Sequence, residues 1–158
     1  MNPELEKALM LVGKYRVCTA PDFPHLQNIS QQEGLLVKFF SFSGGIMGVY
    51  YNTFDGIKLF TIKNGLSKPE LKHMLAYGLA CHVLGPSSVT HAHVKVIHDF
   101  PKHSFDDDAE NFASIFLVPP QAMLDYGRRI TPAEISRLAH IPESLAQRRI
   151  DIARRFLV

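Results

Sequence analysis

The chain has few cysteines, no long apolar run and little net charge, and each shortage excludes a class of protein. Only Cys18 and Cys81 occur among the 158 residues, and two thiols do not make the disulfide framework of a small secreted domain. No apolar run approaches the roughly 20 residues that a helix needs to cross a bilayer. Residues 1–17 carry acidic side chains early and do not read as a secretory signal peptide. We therefore expect a cytoplasmic protein with reduced thiols and no membrane partner.

The formal net charge is only +2, and a bulk charge so small gives no argument for a nucleic-acid partner. The average hides an uneven distribution, because from Arg128 onward seven arginines stand against three acidic residues. The composition, 46% hydrophobic and 20% charged, is that of an ordinary globular protein. We expect one domain over residues 1–158, in which residues 128–158 form an Arg-rich C-terminal pair of helices.

Apolar periodicity, capping residues and β-rich runs predict an α+β fold. A leading helix is expected over residues 3–16 and a short one over 26–33, followed by three strands whose turns, "SGG" and "DG", suggest a meander. After these come a helix, a further strand and a helical C-terminal region. The expected strands are 35–42, 48–52, 57–63 and 92–97, and the expected later helices are 67–84, 104–118, 121–126 and two within 128–158. This order favours a small, mostly antiparallel sheet packed on helices.

The predicted helix 67–84, "LSKPELKHMLAYGLACHVLGP" with its flanks, has strong terminal signals. Ser67 and Glu70 form a capping box around Pro69, and Gly85 with Pro86 ends the helix. Tyr77 and Cys81 are four residues apart and therefore share a face, with Gly78 beside them. A buried stripe is expected at spacing four, formed by Leu71, Leu75, Leu79 and Val83.

Three segments in order resemble the ImmA/IrrE family of zinc metallopeptidases. They are the helix just described, "AENFASIFLVPPQAM", which is similar to the family's "AxxFAxxLLMP" element, and "ITPAEISRLAHIPESLAQRRI", which is similar to its closing helices. The resemblance covers nearly the whole chain and implies a zincin-like fold. It also implies a regulatory context of phage or mobile-element type.

The resemblance places unusual residues where the family has its zinc ligands and base. Tyr77 stands at the first His, Gly78 at the catalytic Glu and Cys81 at the second His, and Asp108 is the nearest match to the third ligand. Tyrosine, with a reference pKa of about 10, is a poor zinc ligand at neutral pH, and glycine cannot take a proton from water. We therefore expect no catalytic residue and no bound metal, and a protein that binds a protein or peptide partner without cutting it.

Two other functions remain open from the sequence. Zinc relocated to Cys81, His82, His91, His93 or Asp108 would give an active endopeptidase with non-standard ligands. Alternatively, residues 131–150 outline a helix-turn-helix with Ile135, Leu138, Ile141 and Leu145 directed inward. The basic side chains that would contact DNA phosphates there are Arg148, Arg149, Arg154 and Arg155.

The glycine-rich segment "FSFSGGIMGVYYN", residues 40–52, suggests how a partner could be held. In metallopeptidases of this general type, a sheet edge beside the helix binds an extended peptide by strand addition. The same segment also reads as an ordinary hairpin turn.

Overall fold

The computed structural model describes residues 1–86, 91–98, 105–156 and 158. Within these ranges the chain has seven helices and four strands. In chain order they are α1 Pro3–Lys14, α2 Phe23–Gln32, β1 Leu36–Phe40, β2 Ile46–Asn52, β3 Lys58–Lys63, α3 Lys68–Leu84, β4 His93–His98, α4 Asp107–Leu117, α5 Pro120–Tyr126, α6 Pro132–Ala139 and α7 Glu143–Phe156. The predicted α+β class is confirmed.

The sheet is mixed and has the strand order β1-β3-β2-β4. Strand β2 pairs antiparallel with both β3 and β4, whereas β1 pairs parallel with β3. The predicted meander is therefore wrong at its first turn, because β3 lies between β1 and β2. The backbone N–H of Asn64 donates to the Phe40 carbonyl at 3.0 Å, which ties the end of β1 to the end of β3.

This strand order also corrects the proposed peptide-binding edge. Strand β2, which contains most of the segment 40–52, is flanked on both sides by other strands. Its backbone N–H and C=O groups are used by β3 and β4, so β2 cannot accept an added strand.

Helix α3 runs through the centre of the molecule. The nine consecutive residues from Lys72 to Ala80 are all buried, because the sheet, α2 and α4 pack around this helix. The prediction of a single buried stripe was therefore too narrow, and two of its members, Leu71 and Val83, are only half-buried. A helix buried on all sides is a core element, and its apolar residues are not confined to one face.

The C-terminal pair has the predicted outline. Thr131 and Glu134 form the capping box at the start of α6, and His140, with φ 53° and ψ 56°, makes the tight turn into α7. The inward side chains are Ile135, Ile141 and Leu145, but Leu138 is 44% exposed, contrary to the prediction. Helix α6 packs on α7, and its buried residues are Ile135 and Ala139, so Leu138 lies outside the buried row.

None of the helices in the described part of the chain is both long enough and apolar enough to cross a bilayer.

Candidate functional site

Gly78 lies directly against an aromatic ring. A Cβ atom built at this position would stand 2.4 Å from Cδ1 of Phe60 and 2.6 Å from its Cε1. Real carbon contacts are comfortable at about 3.5–4.0 Å. Phe60 belongs to β3 and is fully buried. The ring therefore fills the space that a side chain at position 78 would need.

Tyr77 is a buried structural contact. Its Oη accepts a hydrogen bond from the backbone N–H of Asp106 at 2.8 Å, and its ring meets Phe105 edge-on with 5.1 Å between centroids. Burial raises the pKa of the Tyr77 phenol far above its ordinary value. The phenol therefore stays neutral and holds Asp106, the residue that precedes α4. A neutral, hydrogen-bonded phenol is a much weaker metal ligand than a thiolate or an imidazole.

Cys81 borders an open cleft of about 430 Å³ between the end of α3, β4 and the start of α4. We call it the Cys81 cleft. It is lined by Tyr50, Cys81, Leu84, Gly85, Pro86, His93, Lys95, Asp106, Asp107, Asp108 and Ala109. Burial raises the pKa of the Cys81 thiol to about 11, so the thiolate that would bind zinc is disfavoured.

These residues do not fit the zinc site that the resemblance implies. Position 77 offers a hydrogen-bonded phenol, position 78 offers no side chain, and position 81 offers a thiol whose ionisation is suppressed. A zinc site needs three or four ionised or imidazole ligands arranged tetrahedrally.

The residues of the relocated-zinc hypothesis are only partly brought together. Cys81, His93 and Asp108 line the cleft, whereas His82 and His91 do not. The imidazole of His82 is directed elsewhere, with Nε2 donating to the Glu33 carbonyl at 2.6 Å and Nδ1 3.5 Å from Tyr50 Oη. Burial also lowers the pKa of His82. Across residues 1–86, 91–98, 105–156 and 158, no three His, Cys, Asp or Glu side chains are grouped closely enough to hold a metal ion.

Two of the three acidic residues at the start of α4 are neutralised by neighbours. Lys95 of β4 forms an ion pair with Asp106 and lies 5.4 Å from the centre of the Tyr77 ring. Arg148 of α7 pairs with Asp107 at 2.9 Å. Asp108 is exposed at the rim of the cleft and has no ion pair with any described residue.

A buried histidine–carboxylate pair that was not predicted from the sequence joins α3 to α4. His73 Nε2 lies 2.5 Å from Glu110 Oε1, and the imidazole stacks on Phe105 with 5.0 Å between ring centroids. The pair borders a second cleft of about 400 Å³. No local signal could have found the pair. His73 is one helical turn before Tyr77 and Glu110 is one turn after Asp106, but the contact between Tyr77 and Asp106 that aligns these turns is tertiary.

The four arginines proposed to contact DNA have different environments. Arg149 is fully buried, with Nε donating to the Val118 carbonyl at 2.6 Å and Nη1 donating to the Val158 carbonyl at 2.8 Å. Its guanidinium cannot reach a phosphate. Arg148 is held by Asp107 and Asn111, which leaves only Arg154 and Arg155 as exposed cations.

Comparison of the chain with protein-family models, with curated proteins and with solved structures gives no match.

Proposed function

We propose that this protein is a non-catalytic relative of the ImmA/IrrE metallopeptidases that binds a protein or peptide segment in the Cys81 cleft. Its regulatory setting, of phage or mobile-element type, is what the resemblance implies. The observation that carries the proposal is the contact of Gly78 with Phe60, because a general base at position 78 would have to displace a buried ring.

The contacts of Tyr77 give independent support for the loss of metal binding and catalysis. Its phenol accepts a hydrogen bond from the Asp106 N–H, and Lys95 bridges from β4 to the Asp106 carboxylate. Together these contacts anchor the start of α4 against α3. A residue that had remained a metal ligand would instead direct its donor atom into the cleft.

The cleft retains the properties of a binding site. Its volume of about 430 Å³ falls within the range of ligand pockets in general. Tyr50, Leu84 and Pro86 give it an apolar wall, and Lys95 and Asp108 give it polar groups at the rim. Such a mixture suits a short peptide segment, because apolar side chains supply contact area and the polar groups fix orientation.

The loss of catalysis is tested by metal analysis and a cleavage assay on the full chain purified without chelator. We expect substoichiometric zinc. We also expect no EDTA-sensitive cleavage of casein. Stoichiometric zinc that disappears in Cys81→Ser but persists in Cys18→Ser would overturn the proposal. That outcome would favour the active endopeptidase with non-standard ligands, for which Cys81, His93 and Asp108 are the residues that share the cleft.

The binding role is tested with a random peptide display library selected on the immobilised chain. Peptides held in the cleft should be retained by the wild type and by Asp125→Arg, and lost on Asp108→Arg. Both aspartates are exposed, but Asp125 lies on α5 and does not border the cleft. Binding in the cleft is refuted if no peptide of the selected set is lost on Asp108→Arg.

A further inference from the structure

The sheet has two faces, and the described helices cover only one of them. Phe60 and Ile62 are fully buried, and a Cβ at Gly48 would meet both Phe60 and Met74 of α3. These alternate positions therefore face the helices. Because successive side chains of a strand point to opposite faces, their neighbours point away. The outer sheet face, as defined by this alternation and the pairing register, consists of Leu36, Lys38, Phe40, Val49, Tyr51, Leu59, Thr61, Lys63, Val94, Val96 and His98.

Apolar side chains are concentrated on and around this face. Of the eleven large hydrophobic residues described as exposed, seven lie in the four strands or in the turn between β2 and β3. On the outer sheet face, Leu36 is 53% exposed, Phe40 is 58% exposed and Val94 is 51% exposed. Leu36, Leu59, Tyr51 and Val94 are register partners and form one row across all four strands. Leu36 and Val94 at the two ends of this row are exposed, Leu59 and Tyr51 between them are half-buried, and Val49 on the same face is only 5% exposed. The exposed apolar side chains therefore lie on the two edge strands, and exposed apolar groups gathered on one face indicate an interaction site.

The charges of the sheet are all of one sign. The four strands contain lysines at 38, 58, 63 and 95 and no aspartate or glutamate. Lys38 and Lys63 lie on the outer sheet face next to Phe40: Lys63 of β3 is its register partner, and Lys38 is two residues before it on β1. Neither lysine has an ion pair with another described residue. The face thus combines exposed apolar groups with positive charge that none of the described carboxylates neutralises.

We propose that the outer sheet face binds a segment of another protein that presents apolar side chains flanked by aspartate or glutamate. The apolar row supplies the contact area, and the two lysines select acidic partners by charge complementarity. This interaction is separate from binding in the Cys81 cleft, because that cleft is lined by residues at the ends of α3 and α4 and by the helix-facing side chains of Tyr50, His93 and Lys95.

Two other occupants agree less well with the charges. A second copy of the chain would bring a face with the same two lysines and no carboxylate against this one, and two faces of the same charge repel each other in an interface. An anionic lipid surface is recognised by clusters of about four to eight basic residues, and the outer sheet face offers two. An acidic protein segment needs only two cations and an apolar row.

The proposal is tested by selecting a random peptide display library on the immobilised full chain and counter-selecting on the double variant Lys38→Glu/Lys63→Glu. We expect the selected peptides to be enriched in apolar residues and in Asp or Glu. Their affinity should fall about tenfold or more on the double variant, since two attractive pairs become repulsive, and should fall as salt is raised. The control for the substitution type is Lys58→Glu, which makes one such charge reversal on β3 at a position that faces the helices. It is compared with the single variant Lys63→Glu, which makes the same charge change on the outer sheet face.

Circular dichroism must show that each variant has the wild-type spectrum and thermal transition. A second variant, Phe40→Ser, removes exposed apolar area without altering charge, and should also weaken the same peptides. Peptides that bind all variants equally, or an enriched set without acidic residues, would overturn the proposal. It would equally be overturned if the chain sedimented with phosphatidylserine vesicles and selected no peptide, or if it formed a dimer that Phe40→Ser dissociates.

Discussion

Replacing Gly78 by alanine tests whether the Phe60 ring occupies the space of the missing side chain. The new Cβ would lie 2.4, 2.6 and 2.7 Å from three ring carbons of Phe60. These distances are shorter than any real non-bonded carbon–carbon contact, so the Phe60 ring must move away from the new Cβ. Phe60 is fully buried between the sheet and α3, so the movement has to be absorbed by a close-packed core.

The expected loss of stability follows from two opposing terms. Overpacking a core costs about 1–3 kcal/mol, and three contacts this short favour the upper part of that range. Alanine is about 1 kcal/mol more favourable than glycine inside a helix, which offsets part of the cost. We expect Gly78→Ala to lower the free energy of unfolding by about 1–2 kcal/mol. For a chain of this size the melting temperature should fall by about 2–8 °C.

Urea unfolding followed by circular dichroism measures the change, with the m value as a check that the unfolded state is unaltered. Gly13→Ala in α1 is the matched control, because no atom lies within 4 Å of its added Cβ. It should stabilise the protein by up to about 1 kcal/mol. In a Phe60→Leu background the penalty of Gly78→Ala should shrink, which gives a coupling energy of about 1–3 kcal/mol. If Gly78→Ala were as stable as Gly13→Ala, the argument that Phe60 excludes a base would fail.

Three further predictions concern buried polar groups. Arg149→Ala should lower the free energy of unfolding by about 2–4 kcal/mol, because it leaves a cavity and two unpaired carbonyls. In the same urea titration, replacing the exposed Arg154 by alanine should change it by no more than about 0.5 kcal/mol. Equal effects would contradict the burial of Arg149. Iodoacetamide at pH 8 should modify the exposed Cys18 before Cys81, whose pKa is raised by burial to about 11, and mass spectrometry showing equal rates would refute this. Burial lowers the pKa of Lys72 to about 8, against roughly 10.4 in an unfolded chain, so between these values the unfolded state binds more protons and stability rises with pH. The unfolding free energy of the wild type minus that of Lys72→Met should therefore increase between pH 8 and 10, by up to about 1.4 kcal/mol per pH unit. A difference that does not change with pH would contradict this prediction.

Local signals in the sequence predicted the helices well. Ser67 with Glu70 and Thr131 with Glu134 form the two capping boxes that their spacing predicts. Helix α3 begins one residue after the predicted start and ends at the predicted residue. Caps, prolines and periodicity act within a few residues, so one segment carries all the information needed to read them.

The sequence determined by itself that an α+β chain would place Tyr77, Gly78 and Cys81 together on one helix, and that this set is unsuited to holding zinc or taking a proton. Only the tertiary structure decided that β1 pairs with β3, that Phe60 closes the space beside Gly78, and that His73 and Arg149 are buried with distant partners. The physical reason is the range of the interactions. The identity of a side chain and its helical neighbours are fixed by the chain, but strand neighbours and buried polar partners are chosen by packing between segments far apart in sequence, and no local pattern records that choice.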